Sequence, residues 1–235
     1  MKRALCGLSL ILASSLSAAT IEINVSLTAN PATGITKGSP VALTANVTER
    51  RPFPLPRLTV LGNLRYTFTA QRTWPCSDAA QVIAQNASNA TVNWTPPKAG
   101  LYTFRVSVSN FEKLPNPPIK NAPLAEATIG NYRVGPPAGF SHQITFLVSP
   151  PSGTLSGPAT LSVGINVANP GSHRFSYKFY LGGTCGADFP NTCTISNVPA
   201  GSYLPTVEVN EIDPGTCDLV GFINTHDYNY YVVNR

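Results

Sequence analysis

The chain has 235 residues, of which 43% are hydrophobic and 11% charged, with 22 prolines, 18 glycines and a formal net charge of +5. That much apolar content, set in alternating runs, excludes a disordered chain. The modest basic excess gives no case for nucleic acid as a partner, and no later apolar run is long enough for a spanning helix in the mature chain.

Lys2 and Arg3 precede a mostly apolar run, Ala4 to Leu16, and Ser17-Ala18-Ala19 supplies small residues. Residues 1–19 therefore read as a cleaved signal peptide, and the mature chain as secreted or at the cell surface. Four cysteines remain after cleavage: Cys76, Cys185, Cys193 and Cys217. An even count in an exported protein fits two disulfides. Cys185 and Cys193 flank a loop between two strands and are the candidate local bridge. Cys76 and Cys217 are the candidate second bridge, which would fix the orientation of two domains; local pairing of Cys217 stays open.

The chain in order reads as short strands cut by Pro, Gly and Asn. Thr20–Thr28 opens with Ile21, Ile23, Val25 and Leu27 on one face, and Val41–Thr48 follows. Arg50 to Arg57 is proline-rich and suits an edge or loop. Leu64–Ala70 is a strand; Gln71–Asn89 is a crossover carrying Trp74 and Cys76, with a short helix or turn expected near Asp78–Gln85. Thr91–Trp94 and Tyr102–Val108 are joined by a turn containing Pro96, Pro97 and Gly100. Tyr102, Phe104, Val106 and Val108 form one face of their strand. A second proline-rich excursion at 111–123 leads to strands at Ala127–Val134 and Gln143–Val148, and Ser149–Gly153 then marks a domain boundary.

The second part repeats the first. PATGITKGSPVALTANV at 31–47 matches PPSGTLSGPATLSVGINV from 150, RYTFTA at 65–70 matches RFSYKF at 174–179, and AGLYTFRVSV at 99–108 matches AGSYLPTVEV at 200–209. Three matches in one order indicate a duplicated unit. The expected fold is all-β: two tandem sandwiches, residues 20–149 and 150–235, with one large sandwich as the alternative.

Tyr66-Thr67-Phe68, Val92-Asn93-Trp94-Thr95-Pro96-Pro97 and Ala99–Val106 resemble the immunoglobulin-like superfamily in its bacterial surface forms, especially polycystic-kidney-disease-type repeats. The resemblance implies that Gly100 makes a tight turn and Tyr102 packs into the sandwich, with Gly201 and Tyr203 as counterparts. It also implies immunoglobulin-like domains serving as an extracellular spacer, adhesion or assembly module, usually without catalytic residues.

The residues themselves advertise no chemistry. His142, His173 and His226 lack ligand-like spacing, so no metal site and no cofactor is expected. No nucleophile-elbow motif occurs. Glu208 and Glu211 differ by an odd number, which sends them to opposite faces of a strand. Glu211 to Asp218 reads as an acidic solvated turn rather than a calcium loop.

Residues 20–149 hold 11 Lys or Arg and 5 Asp or Glu, a net of +6, whereas residues 150–235 hold 3 and 6, a net of −3. Such opposition suits head-to-tail self-association or, equally, attraction within one molecule. The terminal strands, Ile21 to Leu27 and the one carrying Tyr228, Tyr230 and Val232, are candidates for pairing with a neighbour or with their own chain. A non-enzymatic filament or surface subunit, associating with itself or with another surface protein, is the first expectation. A polysaccharide-binding or adhesion module, with Phe53, Trp74 and Phe111 as contact aromatics, is the second.

Overall fold

The computed structural model describes residues 22–50, 64–110, 123–150, 153–156, 159–180, 184–185, 191–226 and 231–234. All regular structure among them is strand. The first group is β1 (Glu22–Asn30), β2 (Ile35–Thr36), β3 (Val41–Arg50), β4 (Leu64–Trp74), β5 (Gln81–Ala87), β6 (Thr91–Trp94), β7 (Gly100–Asn110) and β8 (Pro123–Gly135). The second is β9 (Ile144–Ser149), β10 (Gly153–Ser156), β11 (Ala159–Val167), β12 (Arg174–Tyr180), β13 (Thr184–Cys185), β14 (Thr192–Val198), β15 (Gly201–Tyr203), β16 (Thr206–Asp213), β17 (Asp218–His226) and β18 (Tyr231–Asn234).

Alternating apolar residues decide which faces meet. On β7, Tyr102, Phe104, Val106 and Val108 are buried while Arg105 is exposed. They pack with Val41, Leu43 and Ala45 of β3, Tyr66, Phe68 and Ala70 of β4, Trp94 of β6, and Tyr132 and Val134 of β8. The Trp94 ring meets Tyr102 and Phe104 edge-on, at centroid separations of 5.2 and 5.5 Å. Edge-to-face packing suits the quadrupoles of aromatic rings. This core lies between the sheets β1-β3-β6 and β2-β8-β7-β4-β5. A second core joins Leu161, Val163 and Ile165 of β11 to Phe175 and Phe179 of β12 and Val207 and Val209 of β16.

Strand order repeats between the groups. The sheet β9-β11-β14 has the layout of β1-β3-β6. The second group also holds the sheet β13-β12-β16-β17 and a separate small sheet, β10-β18-β15, in which β15 precedes β16 and β18 follows β17 in sequence. The short β2 pairs in parallel with β8, and the short β10 likewise with β18. Those two strands fall within the first repeated segment read from the sequence.

Two tyrosines mark the same corner in each group. The Tyr102 hydroxyl donates to the Lys98 carbonyl at 2.8 Å and the Tyr203 hydroxyl to the Pro199 carbonyl at 2.7 Å, each four residues back. The arrangement is that of a tyrosine corner in a Greek-key sandwich. Burial pushes the Tyr102 phenol up to about 12, so it remains a donor. Gly100 adopts φ +145°, and a Cβ there would lie 2.2 Å from the Trp74 carbonyl oxygen. The close approach of the two backbones requires glycine.

Two expectations change. The helix or turn near Asp78–Gln85 gives way to β5, which pairs antiparallel with β4. The strand at 143–148, assigned to the first part, instead pairs with β11, and Ile144, Phe146 and Val148 pack on the second core. The connection between the two cores thus runs through 136–143, and Ser149 on β9 and Gly153 on β10 both belong to the second group. Alternation shows that a strand has an apolar face but not which sheet claims it.

Tyr102→Phe is expected to cost about 1–3 kcal/mol, because the hydroxyl partner of the Lys98 carbonyl is lost in a buried corner. Tyr203→Phe, where water can replace the bond, is expected to cost under about 1 kcal/mol. Urea unfolding midpoints of the two variants distinguish these corners.

Candidate functional site

The two groups of strands meet at the turn between β16 and β17, and here the polar side chains concentrate. Asp213 shapes the turn: its Oδ1 accepts from the Gly215 N–H at 2.8 Å, and its carbonyl accepts from the Cys217 N–H at 2.8 Å. Cys217 takes φ +57° and is disulfide-bonded to Cys76, with the Cα atoms 6.0 Å apart. The bridge joins β4's trailing loop to the β16–β17 turn.

Arg72 lies beside it, 1% exposed. Its Nε and one terminal nitrogen donate to the two Asp78 carboxylate oxygens at 2.9 and 3.0 Å, and the other terminal nitrogen donates to the Cys217 carbonyl at 2.6 Å. A planar guanidinium suits this fork geometry, where a lysine would not. The Arg72 hydrogen bonds hold the Asp78 carboxyl below the usual carboxylate range, against the opposing effect of burial.

Asp218 is the other anchor, 6% exposed. It accepts from the Lys37 ammonium at 2.5 Å and from the buried Ala99 N–H at 2.7 Å. The Lys98 ammonium donates to the Thr216 carbonyl at 3.1 Å. Leu219 and Ile212 enter the first core rather than the second. Alongside, Arg133 donates to Glu208 at 3.1 Å and to the Asn210 side-chain oxygen at 3.4 Å, and its guanidinium covers the Phe222 ring at 4.0 Å. Trp74, Leu101, Tyr177, Arg133, Glu208 and Asn210 help line a cavity of about 310 Å³ at this junction.

The expected opposition of charge is therefore used within the molecule. Lys37, Arg72, Lys98 and Arg133, all from the basic part, reach groups of the acidic part. Asp218, expected in a solvated acidic turn, is buried because the turn plugs into its neighbour.

Other sequence candidates fall elsewhere. Trp74 stands at this cavity, while Phe53 and Phe111 lie outside the described residues. Ile23, Val25 and Leu27 sit on β1, which pairs with β3 of its own chain from Glu22 to Asn30, and Val25 and Leu27 pack on the first core. Ile21, Tyr228 and Tyr230 lie outside the described residues, as do residues 1–19; Val232 is on β18, paired with β10 and β15. Cys193 is buried and disulfide-bonded. The backbone of its candidate partner Cys185 sits on β13, opposite Phe179.

One cluster escaped the sequence reading. His142, from the segment before β9, and His173, from the turn before β12, both approach Glu211 on β16. Separations of 69 and 38 residues from Glu211 carry no local motif. Glu211 and Glu208 do occupy opposite faces of β16: one meets the histidines, the other Arg133.

No protein-family model and no curated protein sequence matches the chain. Many solved structures are similar to it, among them two of low sequence identity. Three N-terminal domains of the Highly Immunogenic Outer Capsid protein of bacteriophage RB49 align at 14% identity and a TM-score of 0.27, over 92% of this chain and 59% of that one. Fibronectin(III)-like modules of Clostridium thermocellum CbhA align at 10% identity and a TM-score of 0.29, over 88% of this chain and 94% of that one. The chain thus spans a little over half the length of the capsid-protein fragment.

Asp218→Ala is expected to cost about 3 kcal/mol or more, since it strands the Ala99 N–H and removes the partner of Lys37. Chemical denaturation measures the loss. For Asp78, whose folded pKa is lowered, the sign is that of a stabilising ionised carboxylate. Its contribution is full above the ordinary Asp value near about 3.9 and fades as pH falls through the lower folded value. Asp78→Asn is expected to flatten the acid limb of the stability–pH profile without steepening the limb above neutrality.

Proposed function

We propose that the chain is a non-catalytic structural module acting outside the cell: two tandem immunoglobulin-like sandwiches held at a fixed angle, assembling into a surface layer or extracellular filament. The joint carries this reading. A disulfide, the buried Arg72 and the buried Asp218 are all spent on fixing one sandwich against the other. An export route supports the same reading, because disulfides persist in oxidising compartments.

Assembly through sheet edges has two candidate sites. β5 ends one sheet and β9 another, and each carries an exposed large apolar residue, Val82 at 53% and Leu147 at 56% exposure. Unprotected apolar edges invite strand addition by a second copy. The terminal strands β1 and β18 are already paired within the chain, so exchange would have to displace them.

The cavity supports a second reading, an adhesion module for polysaccharide. Trp74 and Tyr177 offer rings for stacking on sugar, and Arg133, Glu208 and Asn210 offer groups for hydroxyls.

Electron microscopy of native extracellular material, with light scattering of the purified mature protein, tests the first reading. Regular fibres or layers containing the chain are expected, and Val82→Lys with Leu147→Lys is expected to disperse them while leaving the thermal midpoint within about 2 °C. A monomer absent from every ordered assembly counts against it. A glycan array tests the second: saturable binding lost in Trp74→Ala supports it. Replacing Cys76 and Cys217 by Ser is expected to cost about 2–4 kcal/mol and to broaden the solution scattering profile as the joint loosens.

A further inference from the structure

On β16, on the face opposite the one that meets Arg133, three side chains converge. Glu211 Oε1 lies 2.9 Å from His142 Nε2 and 2.5 Å from His173 Nδ1, and the three ligand atoms fall within 4.8 Å of one another. The tautomer of His142 follows from its other nitrogen. Nδ1 lies 3.2 Å from the Ala168 carbonyl, which can only accept, so Nδ1 carries the hydrogen. In the neutral ring Nε2 then presents its lone pair to a carboxylate oxygen. Two lone pairs at that distance need a positive centre between them, a proton where the ring is an imidazolium and a metal ion where one is bound.

We propose that His142, His173 and Glu211 bind one divalent transition-metal ion of the zinc class, which ties together the two sheets around the second core. Zinc sits about 2.0–2.2 Å from imidazole nitrogen and carboxylate oxygen, which places tetrahedral ligand atoms about 3.4 Å apart. The two separations to Glu211 Oε1, 2.9 and 2.5 Å, are shorter than that and all three atoms lie within 4.8 Å, so ring rotations that open the Glu211 contacts seat the ion. Imidazole ligands favour zinc, nickel or copper over magnesium or calcium.

The surroundings resemble a built ligand shell. A backbone carbonyl orients the metal-binding ring through its second nitrogen, as is usual for histidine ligands. His142 is further held edge-on against Phe140 and Phe175, at centroid separations of 5.5 Å to each. Glu211 is 4% exposed, and Gly221 across the sheet makes room for it: a Cβ there would lie 2.3 Å from Oε2. Asp213, two residues along, adds negative charge near His173. His142 belongs to the side of β9 and β11, while His173 and Glu211 belong to β12 and β16. An ion therefore bridges the segment before β9 to β12 and β16, leaving a fourth position to water.

The test uses the tag-free mature protein, freed of metal with a chelator. Zn²⁺ is titrated against a chromophoric competitor, and Co²⁺ replaces it for visible absorption spectroscopy. One Zn²⁺ per chain, a rise in thermal midpoint on adding Zn²⁺, and tetrahedral Co²⁺ bands are expected. His173→Ala, at a side chain 38% exposed and so tolerant of change, is expected to weaken binding at least about 10–100-fold. His142→Gln is expected to act alike, and His226→Ala to leave binding unchanged. Absence of Zn²⁺ binding, or equal binding by His173→Ala, overturns the proposal and leaves a cluster held together by protons. The Zn²⁺-induced midpoint shift is read within each variant, so a change in basal stability does not confuse the result.

Discussion

Burying a carboxylate is costly unless its charge and lone pairs are met, and the placement of Asp218 shows how the two groups of strands meet that requirement together. Its partners, the Lys37 ammonium and the Ala99 N–H, both come from the other group of strands. The dependence runs the other way too. Ala99 is fully buried, and its N–H takes its acceptor from the β16–β17 turn. Arg72 likewise needs the Cys217 carbonyl to complete its set. Each half leaves polar groups that only the other can satisfy, which makes the joint part of the folded core rather than a tether.

β16 shows the same interdependence in apolar terms. Its alternation breaks near its end, where Val209, Asn210, Glu211 and Ile212 are all buried. A free-standing sandwich strand keeps one face wet, but this one is covered on both. Val207 and Val209 feed the second core, Ile212 feeds the first, and Glu208 and Asn210 meet Arg133 between them. A register shift between Glu211 and Ile212 lets adjacent residues serve different neighbours.

The strands whose periodicity answers to a single core were legible in the sequence. β7 shows this best, since Tyr102 to Val108 alternate cleanly. The Ala-Gly-x-Tyr signature was legible because the tyrosine hydroxyl reaches only four residues back, a local contact. β5 was not: it is an edge strand, and its half-buried Ile83 and Ala84 are adjacent rather than alternating. The owner of β9 was also hidden, because pairing with β11 rather than β8 is a non-local choice. The same holds for Asp218, whose turn looks solvated until another sheet covers it, and for His142, His173 and Glu211, which only the closed fold brings within reach.

The Cys76–Cys217 bridge has a mechanical meaning. It ties the two groups of strands through a contact wholly distinct from the 136–143 connection. Tension transmitted from one group of strands to the other therefore has a covalent path through the sheet ends, where β4 and the β16–β17 turn are backed by packed side chains. The peptide connector need not stretch for force to pass. Under a pull on both ends, the strands outside the loop closed by Cys76 and Cys217 carry the load.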